Sequence, residues 1–392
     1  MNEVIYFDNA ATSHPKPECV YRAVDHFLRE IGASPGRAGH RLGLWASQVV
    51  LEARERLAGL FHVNDSSRVI LTGNCTEALN LAIKGSLRPG DHVVTSGVEH
   101  NSVMRPLRGL ESAGTIELTV VPCTREGWLS PVDVEKRLKA NTRLVVVTHA
   151  SNVVGTVQPV GEIGRLTRKR GALFLVDAAQ SAGLEPIDVP GLGIDLLAFS
   201  GHKGLLGPQG SGGLVVNEGV ELVPLKEGGT GSRSQHETQP THLPDRYESG
   251  TLNGPGIAGL AAGVGYLQEM GVDAVKAKLK ELTALLLAEL SRTPGVTIYG
   301  PRDPDRQTAV VSFTLAGVDT GELEGILDRR FGIMVRSGLH CSPAAHRTIG
   351  TFRRTRGTAR VGLGLFNTAD QVGYFGRCLR ELQKERAGSH GA

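Results

Sequence analysis

The chain has 392 residues, a length that favours two domains over one. Hydrophobic residues make up 40% of it and charged residues 21%, values typical of globular proteins with a sizeable core. The net charge is only +3 and the two signs are mixed along the sequence, which argues against nucleic-acid binding. The longest uncharged stretch, 249–268, is rich in Gly, Ala and Pro and predicts a buried helix with its preceding turn, not a membrane span.

The five cysteines are far apart, odd in number and free of any Cys-x-x-Cys pair. This pattern predicts a reducing compartment, the cytoplasm, rather than a disulfide framework. Residues 1–12 contain no recognisable secretory or transit signal, and the sequence has no zinc-type spacing of Cys and His, so no metal site is expected. We expect Cys19, Cys123 and Cys378 to be small buried apolar residues.

Between residues 68 and 217, short runs of Val, Ile and Leu alternate with amphipathic stretches of helical length. This alternation predicts an α/β fold in which a mostly parallel sheet carries helices on its faces. Several runs are apolar throughout, as expected for strands that are buried on both sides. The seven predicted strands are 68–72, 92–96, 116–121, 144–148, 173–176, 196–199 and 213–216.

The pattern changes after Asn217. Residues 226–244 are polar, rich in Gly and Pro and without periodicity, which is typical of functional or disordered segments. Helices are predicted from residue 256 and over 272–290, where apolar residues recur at helical spacing. A smaller α/β unit follows, with predicted strands at 296–299, 309–315, 333–336 and 359–362 and helices at 321–331 and 369–385. The predicted domains are a large one of residues 15–255 and a small one of residues 256–392 together with 1–14.

Polar residues that directly follow strands deserve inspection, because open α/β sheets bind ligands beyond the carboxyl ends of their strands. Asp177 follows an apolar strand, where a partly buried carboxylate needs a positive partner such as a protonated pyridine nitrogen. The alternative is an ordinary aspartate that caps the next helix. Lys203 lies in a turn of small residues after another strand, and a desolvated lysine suits Schiff-base chemistry, whereas the alternative is a solvated loop lysine.

Weaker signals surround these two residues. Thr76 and Glu77 open a predicted helix, so that backbone amides and a hydroxyl converge on an anion site, although a common helix cap explains them equally well. Residues 254–259 formally match a dinucleotide fingerprint, which we reject because no strand precedes them and a proline interrupts them. The basic stretch 347–356 is interpreted as a solvated loop.

Taken in chain order, these segments resemble the fold-type I pyridoxal-phosphate enzymes of the class V aminotransferase group, and specifically the cysteine desulfurases. The runs 176–180 and 200–203 are the most diagnostic, and the Gly-Leu-His-Cys sequence at 338–341 is similar to the group with a short cysteine loop. The resemblance covers nearly the whole chain. Its segments are 6–12, 39–40, 76–80, 99–101, 151–156, 176–180, 200–203, 247–251, 336–341 and 358–361.

The resemblance implies pyridoxal 5'-phosphate as cofactor, held covalently by Lys203 with Asp177 at the ring nitrogen and His100 over the ring. Cys75 stands where many relatives have a threonine, so that its backbone amide is the contact that remains. The residues implied to bind the cofactor are Thr76, Cys75, His100, Asn152, Asp177, Gln180, Ser200, His202, Lys203 and, from a partner subunit, Thr251.

The implied activity is the conversion of L-cysteine to L-alanine, with the sulfur transferred to Cys341 as a persulfide. Lys203, Cys341 and His100 would be catalytic, and the implied substrate-binding residues are Arg360, Asn152 and His40. A histidine and arginines near Cys341 are expected to favour its thiolate. The family resemblance further implies a homodimer and a sulfur-acceptor protein, with iron–sulfur cluster assembly as one destination, and neither nucleic acid nor membrane as a partner.

Two alternatives remain open. The first is a selenocysteine lyase or another class V enzyme that acts on a different amino acid. The second is a catalytically idle sulfur carrier or scaffold that retains the fold. The presence of both Lys203 and Asp177 argues against the idle protein, which has no physical need of either residue.

Overall fold

The computed structural model describes residues 4–36, 39–232 and 235–389. The strands are β1 Ile5–Tyr6, β2 Val69–Thr72, β3 Asp91–Ser96, β4 Ile116–Val121, β5 Thr142–Thr148, β6 Leu173–Asp177, β7 Leu196–Ser200, β8 Gly212–Val216, β9 Val296–Tyr299, β10 Val310–Leu315, β11 Ile333–Met334, β12 Arg336–Gly338 and β13 Thr358–Gly362. The helices are α1 Glu18–His26, α2 Arg41–Leu60, α3 Cys75–Ser86, α4 Asn101–Ser112, α5 Pro131–Glu135, α6 Val160–Lys169, α7 Gly254–Met270, α8 Val272–Ser291, α9 Thr320–Phe331, α10 Pro343–Ile349, α11 Thr351–Arg354 and α12 Ala369–Ser389.

The largest sheet has seven strands in the order β2-β8-β7-β6-β5-β3-β4. Strand β8 is antiparallel to both of its neighbours, and all the other pairs are parallel. Each strand predicted in this part of the sequence is present, with ends shifted by at most two residues. The prediction of an α/β fold with a seven-stranded, mostly parallel sheet is therefore confirmed.

The core lies on both faces of this sheet, which explains why its central strands are apolar throughout. Successive residues of a strand point to opposite faces. On β5, Val145 and Val147 belong to one buried cluster, while Leu144 and Val146 belong to another. The carboxyl edge of the sheet is left for the polar residues that follow each strand.

A second sheet of four antiparallel strands, in the order β12-β13-β10-β9, is built from the C-terminal part of the chain. Strand β1 pairs with β11 in a separate parallel ribbon. The single strand predicted at 333–336 is thus wrong: it is divided at buried Val335, with β11 pairing to β1 and β12 pairing to β13. The division of the chain into domains of 15–255 and 256–392 with 1–14 stays a prediction.

The irregular stretch at 226–244 contains no helix or strand among its described residues. The segment that follows is fixed by Glu248, a buried carboxylate that binds the guanidinium of Arg54 through both oxygens. Its Oε1 also accepts the backbone N–H of Leu71, at the edge strand β2 of the large sheet. A buried ion pair therefore ties this segment, which leads to Thr251, to α2 and β2.

The predictions for two further segments, one a helix and one a loop, have different outcomes. The apolar stretch 249–268 does form a buried helix, α7, with Asn253 as its N-cap. The basic stretch 347–356 is not a loop, since it lies mostly within α10 and α11. Ala345 and Ile349 are buried against other apolar residues and hold α10 in place. Their apolar character, four residues apart, is the signal that the interpretation as a loop did not use. No helix in the described part of the chain is long and apolar enough to cross a membrane.

Candidate active site

A cleft of about 490 Å³ lies at the carboxyl edge of the large sheet. Parallel strands end at the same edge, and the turns that follow β3, β5, β6 and β7 all supply residues to this cleft, together with the start of α3. Nine of the predicted cofactor contacts line it: Cys75, Thr76, His100, Asn152, Asp177, Gln180, Ser200, His202 and Lys203.

Asp177 is the last residue of β6 and is only 3% exposed. Its Oδ1 accepts the backbone N–H of Ala179 at 2.9 Å and the thiol of Cys75 at 3.5 Å. The residues after Asp177 form turns rather than a helix, so the helix-cap alternative is wrong. Burial raises the pKa of Cys75 well above its ordinary value, and the Asp177 carboxylate adds to this, so Cys75 is a protonated donor to Asp177.

Lys203 follows β7 in a turn that lines the same cleft. Enclosure by protein lowers the pKa of Lys203 below its ordinary 10.5, and the nearby Asp177 carboxylate partly opposes this effect. Arg360 repels the ammonium form and lowers the pKa further. An amine with a lowered pKa is uncharged more of the time and is a better nucleophile toward a carbonyl group.

His100 is the N-cap of α4, and its Nδ1 accepts the backbone N–H of Ser102 at 3.0 Å. Burial lowers the pKa of His100 to about 4, although Asp177 opposes it. The imidazole is therefore neutral near pH 7, and its proton is assigned to Nε2 because Nδ1 accepts a hydrogen bond.

Ser102 also lines the cleft, and sequence reasoning missed it. Its Oγ lies 2.9 Å from His100 Nδ1 and 2.7 Å from Thr76 Oγ1, so it joins the starts of α4 and α3. The available signal was its place in the first turn of a helix, directly after the segment 99–101.

One end of the cleft has the chemistry of an anion site. The α3 N-terminus is capped by Asn74, whose side chain accepts the N–H of Glu77, and it presents the hydroxyl of Thr76. Ser200 is 3% exposed there, and the Nδ1 of His202 is buried without a hydrogen-bond partner among the described residues. Burial lowers the pKa of His202 to about 4, so a neutral imidazole can donate one N–H to an anion.

Arg360, on β13, is 1% exposed and lies beside the cleft rather than in its lining. Its guanidinium donates to the backbone carbonyl of Asn152 at 2.9 Å and to Oδ1 of Asp8 at 2.7 Å, and its Nε is buried without a partner in the described chain. Burial lowers the pKa of Arg360, and Asp8 opposes this. Asp8 lies in the segment 6–12, and its contact with Arg360 was not predicted from the sequence.

Cys341 is exposed, and its backbone carbonyl accepts the N–H of Asn101, the residue after His100, at 2.9 Å. Both His340 and Cys341 have positive φ, 48° and 59°, a conformation that side chains with a Cβ rarely adopt. The Asn152 amide donates to the His340 carbonyl at 2.6 Å. The loop that carries the thiol is thus held against the cleft by Asn101 and Asn152, which follow the strands β3 and β5 of the large sheet.

The sequence predicted that a nearby histidine would stabilise the Cys341 thiolate, but His340 does not do so. His340 is buried, with Nε2 against Thr358, and burial lowers its pKa well below 6.5, so it is a neutral, inward-facing residue. A positive charge comes instead from Arg336, whose guanidinium lies 3.6 Å from the Cys341 sulfur. Of the other cysteines, Cys378 is buried as predicted, and Cys123 is only half-buried. Cys19 is exposed on α1, contrary to prediction, with its sulfur 3.8 Å from the backbone carbonyl of Ala262 in α7.

Arg360 and Cys341 lie beside the cleft, and two further predicted site residues, Thr251 and His40, are not part of its lining. Thr251 is exposed and lines separate pockets beside Gly250 and Leu252. His40 is the exposed N-cap of α2, where its Nδ1 accepts the N–H of Gly43 at 3.2 Å. No group of side chains in the described residues has the composition of a metal site.

A model of the family described as aminotransferase class-V matches residues 5–375 of the sequence. The chain belongs to this family. A probable cysteine desulfurase of Methanothermobacter thermautotrophicus is 37% identical over 97% of this chain and 95% of the relative. A protein of the same name from Pyrococcus abyssi is 36% identical over 97% of this chain and 95% of its own length.

Among solved structures, the apo cysteine desulfurase from Thermococcus onnurineus NA1 superimposes with a TM-score of 0.90 at 36% identity. The match covers 98% of this chain and 96% of that one. The family resemblance inferred from the sequence is therefore confirmed at the level of both sequence and fold.

Proposed function

We propose that this class-V aminotransferase family member is a cysteine desulfurase that uses pyridoxal 5'-phosphate. It converts L-cysteine to L-alanine and receives the sulfur on Cys341 as a persulfide. The observation that carries the proposal is the enclosed cleft in which Lys203 and Asp177 face a common space, with the exposed Cys341 fixed to its rim. The relatives named as cysteine desulfurases support the same activity.

The residues fit pyridoxal 5'-phosphate at both ends. Asp177 is a buried carboxylate suited to a protonated ring nitrogen, and the orphaned Nδ1 of His202, Ser200 and the α3 N-terminus suit a phosphate dianion. When bound, the cofactor supplies an electron sink for bonds that break at the amino acid's carbon atoms. Lys203 would hold it covalently and afterwards carry a proton on Nζ.

Three further residues would surround the cofactor ring. His100 would cover one face and present its Nε2–H to the reacting groups. Gln180 already donates one amide hydrogen to the carbonyl of Ala10 at 2.9 Å, which leaves the second for an oxygen of the ring. Asn152 would lie beside the substrate, with its amide held by the Cys341 loop.

Substrate recognition and sulfur transfer are assigned to residues at the rim. Arg360 would bind the substrate carboxylate, since its buried, oriented guanidinium has one Nε–H without a partner among the described residues. The Cys341 thiolate would attack the sulfur of cysteine, so that a sulfur–sulfur bond forms as the carbon–sulfur bond breaks. Arg336 would stabilise the negative sulfur. We also keep His40 as a proposed contributor to substrate binding.

A homodimer belongs to the same proposal. Thr251 is exposed and outside its own chain's cleft, which suits a contact to the phosphate of a partner subunit. Exposed apolar side chains on α2, which include Leu44 and Trp45, offer a surface for the second copy. A sulfur-acceptor protein, use of the sulfur in iron–sulfur clusters and a cytoplasmic location stay predictions.

The two alternatives make different demands on the site. A selenocysteine lyase needs the same sink but releases selenium without depending on Cys341. An idle scaffold has no use for a shielded lysine beside a buried aspartate, and the lowered pKa of Lys203 argues against it.

The test is the release of alanine from L-cysteine by the purified protein, followed with and without dithiothreitol. We expect a yellow protein that forms alanine continuously only when the reductant removes the sulfur as sulfide. A colourless protein that takes up no pyridoxal phosphate would support the scaffold. Turnover of selenocysteine but not cysteine would support the lyase.

A further inference from the structure

The surface beside Cys341 carries a group of unpaired arginines. Arg347, Arg353, Arg354 and Arg356, here called the arginine surface, are exposed, and none forms an ion pair with a carboxylate of the described residues. The sequence contains no Asp or Glu between Asp328 and Asp370. The positive charge of this surface is therefore not balanced locally.

The arginine surface is held rigidly against the large sheet. Thr348 on α10 donates to the carbonyl of Gly97 at 2.7 Å, and a Cβ at position 97 would lie 3.1 Å from the same hydroxyl, so glycine permits the close approach. Ala345 and Ile349 are buried against Val98. These contacts fix α10 to the turn that also leads to His100.

The chain leads directly from the reactive thiol into the arginine surface. Helix α10 begins two residues after Cys341 and has seven residues, which span about 10 Å at 1.5 Å per residue. The ring of His346, the residue before Arg347, lies 5.5 Å from the ring of His340, the neighbour of Cys341, and the arginines of α11 follow within eight residues of His346. Both the sulfur and the charged groups are accessible from solvent.

Folding gives no reason for this concentration of charge. Neighbouring arginines repel one another, and with no carboxylate at ion-pair distance they gain no compensating attraction. Arg347 does lie over the ring of Phe352, 4.4 Å from its centroid, which accounts for its orientation. Arg353, Arg354 and Arg356 have no such contact within the described chain.

We propose that the arginine surface docks a sulfur-accepting protein that carries acidic residues around its own thiol. This inference rests on the proposed desulfurase function, because it concerns the step that removes sulfur from Cys341. Complementary charge would orient the partner and raise its association rate, while neutral or basic thiol proteins would be disfavoured. The partner's carboxylates would take the place of the missing intrachain ion pairs.

The transfer step balances without any external oxidant or reductant. The partner's thiolate attacks the outer sulfur of the Cys341 persulfide, and a new sulfur–sulfur bond forms on the partner. The bond between that outer sulfur and Cys341 breaks, and its electron pair leaves with Cys341 as a thiolate. Cys341 is then ready for another substrate molecule.

The test uses two synthetic peptides, each with one cysteine, flanked by four glutamates in one peptide and by four lysines in the other. Each peptide serves as the sole sulfur acceptor for the holoenzyme while alanine and peptide persulfide are measured. Flanking charges change thiol reactivity, so each rate is divided by the peptide's rate with a neutral aromatic disulfide. We expect the acidic peptide to be preferred by about tenfold at low ionic strength and the preference to shrink at high salt.

The decisive variant is Arg353→Glu with Arg354→Glu, which should abolish or reverse the preference. A matched control is Lys169→Glu with Arg170→Glu, an exposed basic pair at the end of α6, just before β6 and so at the opposite edge of the sheet. The control should keep the parental preference. The neutral pair Arg353→Gln with Arg354→Gln should give an intermediate ratio, and circular dichroism should show that all variants are folded.

Three outcomes would overturn the inference. The parent could use the lysine peptide as fast as the acidic peptide, or faster. The variant with Arg353→Glu and Arg354→Glu could keep the parental preference, or the control pair could lose the preference to the same extent. Binding of a 20-nucleotide RNA that the reversal abolishes, with no effect on the peptide ratio, would assign the surface to nucleic acid instead.

With dithiothreitol, a small neutral acceptor, parent and variants should release alanine equally. No alanine from the parent under that condition would contradict the proposed function itself, not the docking surface.

Discussion

Lys203 has neighbours that only a covalent role for its amine would require. It lines the same cleft as Asp177, and enclosure lowers its pKa. We predict that Lys203→Ala lowers turnover by more than about a thousandfold and removes the yellow colour, because no second amine takes its place. Lys84→Ala, an exposed change at the end of α3, is the control and should remain yellow. Attachment of the cofactor by borohydride in Lys203→Ala would contradict the assignment.

Cys341 separates a desulfurase from related enzymes that need no thiol. Replacement by alanine should leave cofactor uptake and the spectral change on adding cysteine intact, and should lower alanine formation by about a hundredfold or more. Cys19→Ala is the better control because Cys19 is also exposed, whereas Cys378 is buried and its loss affects packing. Desulfuration at the parental rate in Cys341→Ala would rule out the persulfide route.

Glu99 gives the stability of the fold a distinctive pH dependence. Burial raises its pKa from 4.5 to about 8. Hydrogen bonds from Ser96 and Thr148 stabilise the carboxylate and oppose this rise only in part. Because the folded state holds the proton more tightly than the unfolded state, this stabilisation is present below about pH 4.5 and is lost as pH rises through 8. Glu99→Gln should therefore show a smaller fall in Tm between pH 6 and pH 8.5, followed by circular dichroism. An identical fall in both proteins would contradict the prediction.

Sequence reasoning located single residues correctly where their position depends on one strand, while their roles stay predictions. Asp177 ends one apolar strand and Lys203 follows the next, and the parallel sheet brings both to one edge. Ser102 and Asp8 were missed because their partners are distant in sequence: Ser102 meets Thr76, 26 residues away, and Asp8 meets Arg360, 352 residues away. Local pattern carries no information on such pairs.

At the scale of elements, the segment before Thr251 depends on one buried ion pair. Glu248 binds Arg54 and the N–H of Leu71. Glu248→Gln should lower the free energy of unfolding by about 3–5 kcal/mol because it leaves the Arg54 charge uncompensated. Urea unfolding measures this loss, and the double change Arg54→Met with Glu248→Leu should recover much of it. Equal stability of Glu248→Gln and the parent would show that the pair contributes no net stability.

The predicted elements were most reliable where periodicity and burial agreed. The limits of the seven strands of the large sheet were accurate to two residues, and the central strands β5, β6 and β7 are buried along most of their length. The error at 333–336 arose because one short run serves two sheets, a division that depends on the position of β1. The stretch 347–356 was judged by its charge alone, although residues 345 and 349 bury one side of α10.

At the scale of the whole molecule, the location of Thr251 predicts shared sites. Thr251→Ala should weaken cofactor retention by about tenfold, as for loss of one hydrogen bond to a charged group, while Thr238→Ala in the preceding stretch should not. Mixing Thr251→Ala with inactive Lys203→Ala subunits should restore one normal site in each mixed dimer. Retention of cofactor is measured by dialysis and absorbance. A fully active monomer, or no restoration on mixing, would contradict a contact made across subunits.

The pairing of β1 with β11 affects how the protein can fold during its synthesis. Ile5 pairs in register with Ile333 and donates its backbone N–H to the carbonyl of Gly332, and the hydroxyl of Thr12 donates to the carbonyl of His202. Asp8 is made 352 residues before Arg360. Residues 5–8 therefore cannot reach their partners on β11 and β13 until almost the entire chain has emerged from the ribosome, so Arg360 takes its place beside the cleft only at the end of synthesis.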